Sequence, residues 1–291
     1  VITGSTGFVA KSLIENLLTN GSQVYAIIRQ HSDTSGIAKG THFYTDTGDS
    51  QALIDFFNEI KPDGVIHLAS LFLAQHDTKD IEPLVISNIL FGTRLLEASI
   101  HSGVKWFINT GTFWQHYNND DYNPVNLYAA TKQAFLDIAK YYYESKQINF
   151  VTIKLNDTFG PGDTRKKVFN LWKKSSESQE TLEMSPGDQI IDISYIEDIV
   201  DAYILMIEHL KNDKQYSYTG NVYAVSSEER MSLRHLAKLY ENVTNKTLNI
   251  VWGKRAYRDR EVMLPWDKGE PVPGWKQKVP LEKAIQIVNK S

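Results

Sequence analysis

The chain has no cysteine in its 291 residues. That excludes disulfides, thiolate metal sites and a catalytic thiol, and it suits a reducing cytoplasm. No metal site is expected. It also has no block of lysine and arginine, and its net charge is -4, so nucleic acid is not expected as the main partner. No apolar run approaches the roughly 18 residues of a membrane span, and no signal peptide opens the chain. No repeat or low-complexity segment is visible. An initiating methionine is missing as well: Val1 stands inside what reads as a first strand, and a few residues are expected to precede it. What remains is an ordinary globular composition, 42% hydrophobic and 23% charged. The length allows one large α/β domain with a smaller lobe.

The apolar pattern alternates between strand and helix. Val1–Thr3 reads as the end of a buried strand, and Phe8–Leu18 as a helix with Val9, Leu13, Ile14 and Leu17 on one face. Val24–Ile28 is apolar throughout, as a strand covered on both faces must be. A helix over Ser50–Ile60, capped by Asp49 or Ser50, precedes a strand at Val65–Leu68. A helix over Pro83–Ser99, a strand at Trp106–Ile108, a helix over Leu127–Ser145 and a strand at Phe150–Leu155 follow. This order predicts an α/β fold, a Rossmann-like doubly wound parallel sheet. Residues 1–160 and about 190–225 are assigned to that domain. A strand near Ile191–Ile193, a helix over Ile196–Leu210 and a strand at Asn221–Val225 are expected to return to its sheet layer. Residues about 161–189 and 226–291 form a smaller C-terminal substrate lobe.

Gly4, Ser5, Thr6 and Gly7 join the first strand to the first helix, which Phe8 and Val9 open. Glycines there let the backbone turn tightly and approach a pyrophosphate, whose charge faces the helix N-terminus. A dinucleotide site is expected, with Leu68 and Ala69 beside it. An acid at the end of the second strand would bind a ribose 2′-hydroxyl; an arginine accommodates a 2′-phosphate. The acid is absent and Arg29 is present, which favours NADP(H), with NAD(H) as the alternative. Asp46 is a candidate for the adenine amino group, or a simple loop cap.

Tyr128 and Lys132 lie four apart, on one face of a helix. An ammonium near a phenol lowers its pKa, and such a tyrosine can move a proton at a carbonyl or alcohol. A dinucleotide site and this pair together indicate redox chemistry at a carbon–oxygen bond.

Four segments carry a resemblance over the chain: Thr3–Val9, Val65–Ala69, Tyr128–Lys132 and Phe159–Asp163. In these it resembles the extended short-chain dehydrogenase/reductases that act on nucleotide sugars, the NAD-dependent epimerase/dehydratase family. The resemblance implies that Tyr128 is the general acid/base, that Lys132 holds the nicotinamide ribose and tunes the tyrosine, and that Thr112 orients the carbonyl. It implies a supporting role for Asn88 at the substrate. The segment after Thr112 is expected to border the sugar, with Trp114, Gln115 and His116 as candidates to touch it. Dehydratases of the family carry an Asp–Glu pair after the active-site hydroxyl; Phe113 and Trp114 stand there instead. A cysteine–histidine pair cannot exist. A 4-ketoreductase or a 4-epimerase remains, and Arg29 favours the reductase, which consumes fresh NADPH.

The tail from Arg258 to Met263, followed by Gly274–Lys276, resembles that of bacterial reductases making CDP-abequose and CDP-paratose. A CDP- or dTDP-linked 4-ketosugar is the implied substrate, with Arg258 at its diphosphate because a guanidinium binds phosphate bidentately. Two departures stand out. Ile191-Asp192 replaces an Arg-Asp pair, so one phosphate-binding arginine is missing. Asp157 replaces an asparagine, next to Asn156, and is expected to bind a sugar hydroxyl or to hold a basic residue such as Lys154. Arg165, Lys166 and Lys167 could face the diphosphate or lie in solvent. A homodimer is expected through the helices bearing Asn88–Ser99 and Tyr128–Tyr143; the run Tyr141–Tyr143 suits that surface or an internal core.

Overall fold

The structure is a computed structural model that describes residues 1–145, 148–178 and 180–290. Its strands are β1 (Ile2–Thr3), β2 (Tyr25–Ile28), β3 (His42–Thr45), β4 (Gly64–His67), β5 (Trp106–Thr112) and β6 (Asn149–Leu155), then β7 (Asp157–Phe159), β8 (Leu182–Met184), β9 (Ile190–Ile191), β10 (Ile193–Tyr195), β11 (Val222–Val225), β12 (Met231–Ser232) and β13 (Ile250–Trp252). The helices are α1 (Phe8–Thr19), α2 (Ser50–Ile60), α3 (Ile81–Val85), α4 (Phe91–Ser102), α5 (Leu127–Ser145), α6 (Val168–Ser178), α7 (Ile196–Asn212), α8 (Leu233–Thr244) and α9 (Leu281–Lys290).

Seven strands form one parallel sheet in the order β11-β6-β5-β4-β1-β2-β3. The order reverses between β1 and β4, which opens a crevice at the carboxyl ends of those strands. Helices cover both faces. Leu53 and Phe57 of α2, Leu95 and Leu96 of α4, and Phe135 of α5 pack on one side with Phe107 and Phe150 of the sheet. Leu13 and Ile14 of α1 and Ile199, Tyr203 and Met206 of α7 pack on the other, in a core continuous with α8 and α9. The doubly wound fold is thus the one the alternation predicts. Asp49 caps α2, accepting from the backbone N–H of Gln51 and Ala52.

Three details differ from expectation. Strand β3 is an exposed edge strand with little apolar signal. The strand expected across Ile191–Ile193 splits at Asp192, whose buried carboxylate accepts hydrogen bonds from Ser226, the N–H of Ser227 and Arg230. After the break β10 pairs with β7 outside the central sheet. Finally, α3 continues through a π turn at Ile86–Leu90 into α4. With the preceding turn this makes a helical run, Thr78–Ser102, whose length and mean hydropathy suffice to cross a membrane, correcting the expectation that no run approaches that length. Its α4 part packs against α2 and α5.

Candidate active site

The carboxyl ends of β1, β4, β5 and β6 line a cleft of about 720 Å³. At one end lies the glycine loop. Gly4 adopts φ +69°, and a Cβ there would stand 2.7 Å from the Ala69 nitrogen. Only glycine tolerates both the left-handed backbone and this approach. Gly7 is the N-cap of α1, whose first N–H groups lack helical partners. Ser5 Oγ is buried without a hydrogen-bond partner among the described residues. A close backbone, free N–H groups and an orphaned buried hydroxyl fit the pyrophosphate of a dinucleotide. Thr6, Phe8, Val9, Leu68 and Ala69 line the same cleft.

A short chain of hydrogen bonds joins the ends of β1 and β4 at the crevice. Thr3 Oγ1 accepts from the Ala69 N–H at 3.1 Å and bonds His67 Nδ1 at 2.8 Å. Burial, aided by the nearby Lys132 ammonium, pushes His67 well below its usual pKa, so it stays neutral. Next to the loop, Arg29 is exposed on the cleft wall. Asp46 also lines the cleft and accepts a fork from Arg94, at 2.9 and 3.4 Å. Arg94, on α4, escaped the sequence reading, since nothing in a helical Arg-Leu-Leu run points to Asp46.

At the other end stands Tyr128, 9% exposed, on the first turn of α5. Burial pushes its phenol up to about 12; the neighbouring hydroxyls of Ser70 and Thr112 partly oppose this. Lys132, one turn on, is 2% exposed. Desolvation lowers its ammonium to about 8, and no hydrogen bond or ion pair to the described residues holds it. The expected lowering of the phenol by the ammonium is therefore outweighed: burial dominates both groups. Thr112 ends β5, its N–H bound to Gln115 Oε1 at 3.1 Å and its hydroxyl accepting from the Trp114 N–H. Phe72 lies edge-on to Tyr128 at 5.0 Å and beside Trp114 at 5.3 Å, making an aromatic wall over the phenol. Ser70 and Phe72 follow the Val65–Ala69 segment closely, but their approach to Tyr128 depends on a loop that sequence periodicity does not describe.

The remaining expected residues separate into wall and support. Trp114, Asn156 and Asp157 line the cleft. Asn88 is fully buried behind it: its amide accepts from Leu71 N–H at 2.7 Å and donates to Leu71 O and Thr131 Oγ1. Gln115 is also fully buried, joining Thr112 to Gln133. Arg258 forks onto Glu261 and lies over the Trp114 ring. Asp157 is held by Lys167 at 2.6 Å, not by Lys154. Lys154 is instead buried against His116 Nε2 at 2.5 Å, and His116 stacks on Trp266 at 4.0 Å, away from the cleft. Lys166 is exposed.

Residues 1–226 match the profile of the NAD dependent epimerase/dehydratase family. The chain is 26% identical to CDP-abequose synthase of Salmonella typhimurium, covering 98% of this chain and 95% of that protein. It is 20% identical to UDP-glucose 4-epimerase of Halalkalibacterium halodurans, over 98% of this chain and 93% of the other. Among solved structures, UDP-glucose 4-epimerase of Thermotoga maritima with UDP-glucose superposes with a TM-score of 0.87 at 21% identity, covering 99% and 96% of the two chains. UDP-glucuronic acid 4-epimerase of Bacillus cereus, with UDP-glucuronic acid and NAD, gives 0.84 at 20%, covering 99% and 97%. The match runs from the glycine loop through the last strand of the sheet, and the chain belongs to the NAD dependent epimerase/dehydratase family.

Proposed function

We propose that this chain is an NADPH-dependent reductase of a nucleotide-linked 4-keto-deoxysugar, carried on CDP or dTDP, in the cytoplasmic synthesis of O-antigen precursors. One observation carries it: a buried phenol and two hydroxyls meet in a cleft that also holds a dinucleotide cradle, with the buried Lys132 ammonium one helical turn from the phenol. Gly4, Ser5, Gly7 and Ala69 would hold the pyrophosphate, and Arg29 the 2′-phosphate. When bound, the reduced nicotinamide supplies a hydride to the carbonyl carbon at C4. Tyr128 gives its proton to the carbonyl oxygen, and Thr112 and Ser70 hold the phenol and that oxygen in line. Lys132 brings positive charge to the ribose and the phenol. Phe72 and Trp114 cover the phenol and keep water from it. Phe113 and Trp114, following Thr112, move no proton, so dehydration lacks its second acid and base. The lobe of residues 161–189 and 226–291 would close on the nucleotide sugar. Ile81 and Val85 on α3 and Tyr141 on α5 are exposed and suit a homodimer face; Tyr142 and Tyr143 turn inward, toward Glu97 and Phe150.

A 4-epimerase with bound NAD uses the same residues, and the likeness to epimerase folds favours it as the second reading. A non-catalytic dinucleotide sensor would have no use for the phenol. Following NADPH oxidation with CDP- and dTDP-linked 4-keto-6-deoxy and 4-keto-3,6-dideoxy sugars separates these. Tyr128→Phe is expected to lose roughly a hundredfold or more in kcat while binding NADPH as before. Full activity in that variant sinks the mechanism. Turnover without added cofactor supports the epimerase.

A further inference from the structure

Three cations, Arg165, Lys167 and Arg258, follow β6 in the chain, and their partners and positions distinguish them. Arg165 donates to both oxygens of Asp163, at 2.7 and 2.8 Å, and to the carbonyl and hydroxyl of Thr158, with its plane on the Phe8 ring. It braces the turn after β7. Arg258 gives its fork to Glu261 and is not on the cleft wall. Lys167 is different. It lines the cleft, its ammonium has one ion-pair partner among the described residues, Asp157 at 2.6 Å, and lies 5.5 Å over the Phe72 ring. An ammonium has three donors, so Asp157 leaves others for an anion. The side chain is 33% exposed, enough for a ligand to reach and little enough to fix its direction. Strand β9 adds no cation, because Ile191 stands there, paired with Met231.

We propose that Lys167, paired with Asp157, is the cation that binds the diphosphate of the nucleotide-sugar substrate. The assignment rests on the proposed function. It places the substrate phosphates beside Phe72, whose ring faces Tyr128, and leaves the glycine cradle to the dinucleotide. It also explains the carboxylate at Asp157: the residue does not meet the phosphates alone, but as half of a neutral pair whose other half points into the cleft. A diphosphate could come from the sugar nucleotide or from the dinucleotide itself, and the test separates these sources.

The experiment is calorimetric titration of the full chain, and of Lys167→Met and Lys167→Arg, with CDP, dTDP and UDP, their nucleosides, and NADPH. Lys167→Met keeps the apolar stem over Phe72. It is expected to weaken the best-bound nucleoside diphosphate roughly ten- to a hundredfold, the effect of losing a charge-assisted hydrogen bond. The nucleoside and NADPH are expected to bind as before, and Lys167→Arg to recover most of the loss. Three results overturn the proposal: diphosphate affinity within about twofold of wild type in Lys167→Met, an equal loss for NADPH, or no binding of any of the three diphosphates by the wild type. Diphosphate binding through Lys167 with no 4-ketosugar reduced would remove the reductase and leave this assignment. Reduction with an unchanged KM in Lys167→Met would do the reverse.

Discussion

Lys132 gives a prediction in which stability and activity move in opposite directions with pH. Its ammonium is buried with no carboxylate paired to it among the described residues, and desolvation lowers its pKa from 10.5 to about 8. At about 1.4 kcal/mol per pH unit, the folded chain disfavours the charged form by about 3 kcal/mol. The folded protein sheds this proton near pH 8 and the unfolded chain near 10.5, so between these values the unfolded chain binds more protons. Stability from this group therefore rises with pH across that window, and the full cost is present below it. Activity should run the other way. The Tyr128 phenol, at about 12, remains protonated throughout, so the ammonium is the group whose loss is felt first. We expect kcat/KM to fall about tenfold per pH unit above about 8. Lys154 also titrates near 8 because of burial, but it lies with His116 and Trp266, off the cleft. Rate profiles and melting temperatures from about pH 6 to 10 test this, with Lys154→Met keeping the alkaline limb. Lys132→Met should melt higher than wild type below pH 8 and be inactive. A rate flat to pH 10, or a limb that disappears in Lys154→Met, refutes the reasoning.

Asn88→Ala removes three buried hydrogen bonds of 2.7–3.0 Å that tie the Leu71 backbone to α5; the groups left unpaired cost about 2–4 kcal/mol. The melting temperature should drop by roughly 3–7 °C, and kcat should fall with the loop that carries Ser70 and Phe72; unchanged melting would show that the loop does not depend on this amide. Arg29→Ala should weaken NADP(H) roughly ten- to a hundredfold and leave NAD(H) unchanged; an unaltered ratio of the two affinities would remove Arg29 from cofactor choice.

The sheet was legible because its strands are local and apolar on both faces. The helix over Leu127–Ser145 has the same ends in the sequence reading and in the structure, since its polar and apolar positions follow a helical period without interruption. Strand β3 was not legible: an exposed edge strand such as His42–Thr45 buries too little to leave a pattern. Nor was the break at Asp192, whose buried carboxylate is satisfied by residues 34 to 38 positions away. Asn88 illustrates the same limit within the site. The sequence brings it forward as a substrate contact, but the π turn at Ile86–Leu90 aims it into the protein. There it serves the substrate wall through Leu71, while Ile86 and Leu90 are left exposed.

The Tyr128–Lys132 pair shows why spacing alone does not set a pKa. A separation of four residues puts both groups on one helix face, and their attraction would favour phenolate and ammonium together. Burial penalises both of those charged forms, and in this site it wins: the phenol rises to about 12 and the ammonium falls to about 8. The hydroxyls of Ser70 and Thr112, not the lysine, are what favour the phenolate. This matters for the direction of chemistry. Reduction first asks the tyrosine for a proton, which a phenol held in its neutral form can give. Epimerisation must begin by taking a proton from an alcohol, which needs the phenolate that burial disfavours. Burial thus holds the phenol in the proton-bearing form that the proposed reduction would draw on. A rate of reduction that rises with pH across the range in which the phenol keeps its proton would refute that role.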